Sequence, residues 1–191
     1  MQAKKAALRR EVLARRSVLP EPDKIEAALK LRDLAGGIAV SPGQVVSGFW
    51  PIRGEIDLRP LMARLRKMGA TIVLPTMVGD DLVFRVLDPS GELVDRGFGT
   101  MGPPDTAEAR DPDILLVPLA AFDTRGHRIG YGRGFYDRAL ARLRLLKPIR
   151  AIGIAFSVQE VAHVPNEAHD APLDAMLTET GYRRFPMEPG A

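Results

Sequence analysis

Ile114-Leu115-Leu116-Val117 is a short, unbroken apolar run, and Ile149-Arg150-Ala151-Ile152-Gly153-Ile154-Ala155-Phe156 is a second one. Between them lie a glycine-rich loop over residues 118–134 and a charged segment over 135–146, Phe135-Tyr136-Asp137-Arg138-Ala139-Leu140-Ala141-Arg142-Leu143-Arg144-Leu145-Leu146. Continuous apolar runs of this length are what strands buried on both faces look like. With a helix over 135–146 between them, they form a strand–helix–strand unit, which calls for a parallel pair.

The same alternation extends upstream. Residues 44–50 read as a strand after Pro42-Gly43, and 56–68 as a helix with Leu58, Leu61, Met62 and Leu65 on one side, stopped by Gly69. Residues 70–74 read as a strand stopped by Pro75. Residues 82–87 and 92–94 read as a hairpin joined by Asp88-Pro89-Ser90-Gly91. Residues 97–112 look like a loop, and 173–178 like a last strand. Two helices come first. One covers about 2–17; the other follows Pro20 and Pro22, presents Ile25, Ala28, Leu29 and Leu31, and is capped at Gly36-Gly37. Strands alternating with helices predict an α/β fold: a three-layer, Rossmann-like, open and mostly parallel sheet with helices on both faces, plus a small hairpin. No linker interrupts the chain, so 1–191 reads as one domain.

Composition narrows the function. The apolar share of 46% belongs to a globular chain. There is no cysteine, which excludes a disulfide framework, a Cys-based zinc site and a cysteine nucleophile, and fits a reducing, cytoplasmic setting. No apolar run approaches a membrane span. The net charge is only +3, and much of the excess sits in residues 1–16. There Lys4, Lys5, Arg9, Arg10, Arg15 and Arg16 face the single Glu11. A basic, helical start shares the pattern of a transit peptide but has no secretory apolar core.

The loop carries the chemistry. In Arg128-Ile129-Gly130-Tyr131-Gly132-Arg133-Gly134-Phe135-Tyr136-Asp137-Arg138 the glycines alternate at 130, 132 and 134. Glycine lets backbone N–H groups face a ligand without a Cβ in the way. The loop opens a helix, whose first N–H groups lack intrahelical partners and favour an anion. Arg128, Arg133 and Arg138 add donors suited to phosphate. Asp137, in the first turn, serves either the helix dipole or, beside a polyphosphate, Mg²⁺. The loop is neither a Walker A sequence nor a dinucleotide fingerprint.

From Val117-Pro118-Leu119-Ala120-Ala121-Phe122-Asp123 through Arg138, the sequence resembles the signature of the 5-formyltetrahydrofolate cyclo-ligase family. Three further stretches fit in order: Lys5-Ala6-Ala7-Leu8-Arg9; Trp50-Pro51-Ile52-Arg53-Gly54-Glu55-Ile56-Asp57; and Gln159-Glu160 with Val164-Pro165-Asn166-Glu167-Ala168-His169-Asp170. The resemblance implies ATP-dependent closure of 5-formyltetrahydrofolate to 5,10-methenyltetrahydrofolate, with ADP and phosphate released. It implies that Lys5 and Arg9 reach the ATP phosphates, and that Arg128, Ile129, Gly130, Tyr131, Gly132, Arg133, Gly134, Phe135 and Tyr136 wrap the nucleotide. Tyr131 to Phe135 would also touch folate, Arg133 and Tyr136 would serve the chemistry, and Asp137 and Asp170 would hold Mg²⁺. Glu55 would bind the pterin and Trp50 would line its pocket.

Each residue has a plainer alternative. Lys5 and Arg9 are also what a solvated helix face contains, Glu55 and Asp170 suit helix or loop ends, Trp50 suits the core, and Tyr131 and Tyr136 suit packing. His127, His163 and His169 lack the spacing of a helical metal pair. Phe135 stands where the family commonly has an aromatic hydroxyl, and Phe98-Gly99-Thr100-Met101-Gly102-Pro103 matches the family's aromatic-to-proline stretch loosely. The expected partners are ATP and a reduced folate, with no nucleic acid and no membrane, and the expected state is a monomer. The rivals are a small-molecule kinase sharing the ATP loop, from which Glu55 and Trp50 discriminate, and a nucleic-acid module resting only on the basic start.

Overall fold

The computed structural model describes residues 1–97, 99–167 and 170–186. Its helices are α1 (Gln2–Ser17), α2 (Glu21–Asp33), α3 (Arg59–Lys67) and α4 (Phe135–Leu146). The main strands are β1 (Val45–Ser47), β2 (Thr71–Val78), β3 (Asp81–Val86), β4 (Ile114–Pro118), β5 (Arg150–Ile154), β6 (Ala175–Thr178) and β7 (Gly181–Arg184). They form one seven-stranded sheet in the order β7-β6-β5-β4-β1-β2-β3. The five central strands are parallel and the edges, β3 and β7, antiparallel.

Both faces of the sheet are covered, as the apolar runs require. On one face Val46, Ile72, Leu116 and Ile152 pack with Ala27 and Leu31 of α2 and Leu61 and Leu65 of α3. On the other, Leu115, Val117, Ala151 and Met176 pack with Ala139, Leu140 and Leu143 of α4. Alternation along β4 explains the split: Ile114 and Leu116 point one way, Leu115 and Val117 the other. Helix α1 lies on neither face. Its Val12 packs with Ala121, Ile129 and Val164 beyond the carboxyl end of β4.

The chain leaves β1 toward β2 and β3 on one side, then returns to lay β4, β5 and β6 on the other. The reversal falls between β1 and β4. In open α/β sheets the crevice outside the carboxyl ends of the strands at such a reversal is where ligands bind.

Several sequence expectations need correction. Residues 82–87 do not pair with 92–94: β3 pairs along β2, with Pro75 opposite Phe84, and β2 runs past Pro75 to Val78. Pairing of β1 with β2 ends at Ser47–Val73, so beyond it β2 has an open side where a residue without an N–H is tolerated. The small hairpin is instead Val94–Asp95 with Met101–Gly102, and the loop after β4 contains another, Ala121–Phe122 with Arg128–Ile129. Helix α2 ends at Asp33 and continues as a 3₁₀ turn, Leu34–Ile38, rather than reaching its glycines intact. It buries Ala27, Ala28 and Leu31, leaving Ile25 57% and Leu29 40% exposed. Helix α3 starts at Arg59, where Pro60 suits the first turn, rather than at Ile56. Phe98 lies outside the described residues.

Candidate active site

The loop after β4 is sewn down before it reaches the glycines. Gln159, buried, donates from Nε2 to the carbonyls of Leu119 (2.8 Å) and Ala120 (3.0 Å). Asp123, fully buried, accepts from the N–H groups of Val164 (2.9 Å), Arg125 (2.9 Å) and His127 (3.2 Å). Burial opposes its charge, but these donors and the Arg125 guanidinium prevail and hold its carboxyl below the usual range. The glycines follow. Gly132 (φ 95°) and Gly134 (φ 66°) are left-handed, where a side chain would be strained. Gly134 is the N-cap of α4, and no side chain caps that end. The first N–H groups of α4 are therefore available to an acceptor from outside.

Helix α1 delivers its cations along one stripe. Lys5, Arg9, Val12 and Arg16 recur at helical spacing. Arg9 Nε donates to the carbonyl of Gly130 (2.7 Å), and a Cβ at Gly132 would come within 3.5 Å of the Arg9 guanidinium. Lys5 Nζ pairs with Asp170 Oδ2 (2.5 Å) and Glu167 Oε2 (2.9 Å). Burial lowers the Lys5 pKa, yet the two carboxylates outweigh it and leave it raised. Arg128 pairs with Asp137 Oδ1 at 2.7 Å and donates to the carbonyl of Ala171. The Ala171 N–H points back to Asp137 Oδ1 (3.3 Å). Asp137 and Asp170 thus face the same short backbone segment, each tied to a cation. Among the described residues no group of three or more His, Cys, Asp or Glu could hold a metal.

The other end is built differently. Glu55 follows a tight turn in which Arg53 (φ 50°) and Gly54 (φ 75°) are both left-handed. Its Oε2 accepts from the Ile52 N–H (2.9 Å), and its carboxylate also interacts with the Tyr131 hydroxyl. Burial raises the Glu55 pKa, opposed by Tyr131, Ile52 and the charges of Arg16 and Arg53. Arg16, only 3% exposed, donates to Tyr131 Oη (2.9 Å) and to the Arg53 carbonyl (2.7 Å). Tyr136 is within electrostatic reach of Glu55, Arg128 and Tyr131; burial raises its pKa first, and its phenol remains protonated.

The sequence candidates therefore gather at the carboxyl edge of β1 and β4. Trp50 is half-buried against the core at the edge of this region, with Arg59 5.5 Å from its ring centre. Phe135, lacking a hydroxyl, has the guanidinium groups of Arg133 (5.7 Å) and Arg138 (5.1 Å) over its ring. Two surface clefts, of about 230 and 260 Å³, lie elsewhere and include none of the candidates. His163 is exposed and His127 belongs to the Asp123 turn, whereas His169 lies outside the described residues. Sequence reasoning missed Arg16, Glu167 and the suturing by Gln159. The spacing 5, 9, 12, 16 was the available signal for Arg16; nothing local marks Glu167.

Comparison with known proteins identifies the family. Residues 1–179 match the profile of the "5-formyltetrahydrofolate cyclo-ligase family". The 5-formyltetrahydrofolate cyclo-ligase of Escherichia coli K12 is 34% identical over 140 residues, 70% of this chain and 76% of that one. The Mycolicibacterium smegmatis 5-formyltetrahydrofolate cyclo-ligase is 31% identical over 184 residues, 91% and 93% respectively. Among solved structures, the Aquifex aeolicus 5,10-methenyltetrahydrofolate synthetase superposes with a TM-score of 0.78 at 30% identity, covering 98% of this chain and 95% of that one. From the loop signature, the strand reversal that carries it and these relatives together, the chain belongs to the 5-formyltetrahydrofolate cyclo-ligase family.

Proposed function

We propose that this protein uses ATP to close 5-formyltetrahydrofolate into 5,10-methenyltetrahydrofolate, releasing ADP and phosphate. Atoms balance as follows. The formyl oxygen attacks the γ-phosphorus and the bond to ADP breaks. N10 then adds to the activated formyl carbon, its proton is lost, and the C–O bond breaks to release phosphate that carries the former formyl oxygen. Such chemistry asks the protein mainly for positioning and neutralisation of charge.

The observation that carries this reading is the convergence of residues 5, 9, 16, 55, 128–137 and 170 at one sheet edge, from segments up to 165 residues apart. In the proposed division of labour, the first N–H groups of α4 with Lys5, Arg9, Arg128 and Arg133 receive the triphosphate. Glu55 accepts from the pterin amino and ring N–H groups. Tyr131 to Phe135 lie between the two ligands, and protonated Tyr136 donates near the transferring oxygen. Asp137 and Asp170 would hold Mg²⁺, an ion that is bound through one or two carboxylates beside substrate phosphates. When bound, the ion would neutralise charge on the β- and γ-phosphates. The proposed partners are MgATP and a reduced folate; the proposed working state is a cytoplasmic monomer.

An isotope experiment tests the chemistry. With ¹⁸O in the formyl group, one labelled oxygen is expected in the released phosphate. Unlabelled phosphate at full turnover contradicts formyl activation by phosphorylation.

A further inference from the structure

Arg16 lies three helical turns from Lys5 on the same stripe of α1, at the opposite end of the site. Its Nη1 donates to Tyr131 Oη at 2.9 Å and its Nη2 to the Arg53 carbonyl at 2.7 Å. Tyr131, being engaged by Arg16 as an acceptor, keeps its own O–H for the Glu55 carboxylate, with which it interacts. Glu55 Oε2 takes the Ile52 N–H at 2.9 Å, and the Glu55 N–H returns to the Ile52 carbonyl at 2.9 Å. The guanidinium thus grips both the left-handed Arg53 turn that presents Glu55 and the tyrosine that orients its carboxylate. A left-handed non-glycine residue persists only where its surroundings fix it, and Arg16 supplies that fixing from a different helix.

Two features argue against a merely structural arginine. A guanidinium this buried normally faces a carboxylate. Here the guanidinium donates to a carbonyl and a phenol, and the Glu55 carboxylate, whose charge it feels, lies on the far side of the phenol. Tyr131 also sits between Gly130, held by Arg9 (2.7 Å), and left-handed Gly132. Moving the nucleotide loop therefore moves the hydroxyl that holds Glu55.

We infer that Arg16 is a positioning residue which, through Tyr131, couples the order of the nucleotide loop to the orientation of Glu55. Folate should consequently bind more tightly once the loop is ordered by nucleotide, and by linkage nucleotide more tightly once folate is bound. The inference rests on the reading of Glu55 as the pterin's acceptor.

The test is calorimetric titration of 5-formyltetrahydrofolate, with and without a non-hydrolysable ATP analogue and Mg²⁺. The proteins are wild type, Arg16→Met, Arg16→Lys, Tyr131→Phe, Glu55→Gln and the double variant Arg16→Met/Tyr131→Phe. Wild type is expected to bind folate roughly five- to tenfold more tightly with the analogue present, a typical coupling. Tyr131→Phe and Arg16→Met should each abolish that enhancement and weaken folate binding roughly tenfold, and Arg16→Met should leave binding of the analogue alone within about twofold of wild type. The double variant should be no worse than either single, because both cut one relay. Arg16→Lys, which keeps charge but cannot reach both partners, should restore the fold and not the enhancement.

If Arg16→Met does not fold, Tyr131→Phe alone decides, since it removes one hydroxyl and no packing. Additive losses in the double variant, or an enhancement that survives Tyr131→Phe, overturn the relay. If Glu55→Gln leaves folate binding unchanged, the pterin reading itself has failed. Weakening by Glu55→Gln with unchanged Arg16→Met and Tyr131→Phe removes the relay alone.

Discussion

The two ends of the site hold their carboxylates in opposite ways. At the proposed phosphate end, Asp137 and Asp170 are each met by a full cation, Arg128 and Lys5. At the proposed pterin end, Glu55 accepts from an N–H and interacts with a phenol, with its arginine one step removed. In the proposed reading, paired charges are set to be exchanged: a metal would take the carboxylates while the cations turn to phosphate, with little net charge uncovered. A carboxylate held by neutral donors is instead pre-aimed, with acceptor capacity left for a ligand that brings N–H groups.

The largest effect expected from this contrast is at the phosphate end. Asp137→Asn should lower turnover about a hundredfold or more, because it removes a metal ligand and leaves Arg128 without its partner. Steady-state kinetics over a Mg²⁺ series, beside a melting curve to confirm the fold, checks it. Wild-type turnover with unchanged metal dependence would make Asp137 a helix-end acid only.

The next sharpens the division. Lys5→Ala should weaken ATP binding about tenfold and folate little. Glu55→Gln should weaken folate roughly ten- to a hundredfold and ATP little, since it turns a donor toward donors. Equilibrium titration of each ligand reads both. Equal losses of ATP and folate in both variants would dissolve the contrast.

A smaller effect concerns pH. Burial raises the Glu55 pKa, and the accepting form is the ionised one. Folate affinity should therefore fall on acidification at a pH above the ordinary glutamate range. Tyr131→Phe, which removes a donor to the carboxylate, should move that fall to still higher pH. Titrations across the acidic range check the direction; a shift to lower pH would contradict it.

The smallest effect on the balance between the ends is expected from the scaffold they share. Asp123→Asn should cost about 1–3 kcal/mol of stability at neutral pH and leave the ratio of ATP to folate affinity unchanged. The folded-state pKa of Asp123 is depressed, so its contribution is present above the unfolded pKa and lost as pH falls through the folded one. Thermal melts of the two proteins should converge in that acid window.

How much of this was legible in the sequence follows from range. The strand at 114–117, helix α4 and the strand at 150–154 were readable because burial on two faces or one imposes a local pattern. Loop 128–137 was readable because its glycines and arginines lie together. The hairpin misread at 82–94 shows the limit. A good turn at Asp88–Gly91 forms, with Ser90 bonded to Asp88, but partner choice belongs to β2, which offers a longer ladder. The ties of Lys5 to Asp170 and Arg16 to Tyr131 span 165 and 115 residues, and no local spacing encodes which carboxylate or phenol a helix stripe will meet. Ile25 and Leu29 failed for the related reason that α2 buries the stripe Ala27, Ala28 and Leu31, which leaves Ile25 and Leu29 turned outward.

The central claim is that one site joins ATP to ring closure of the folate, with a divalent ion held at Asp137 and Asp170. It is tested most directly by mixing purified protein, MgATP and 5-formyltetrahydrofolate and following the methenyl absorbance band. The account predicts that the band grows only when nucleotide and divalent ion are both present and stops on adding EDTA. Methenyl product forming at full rate without nucleotide, or in the presence of EDTA, would contradict it.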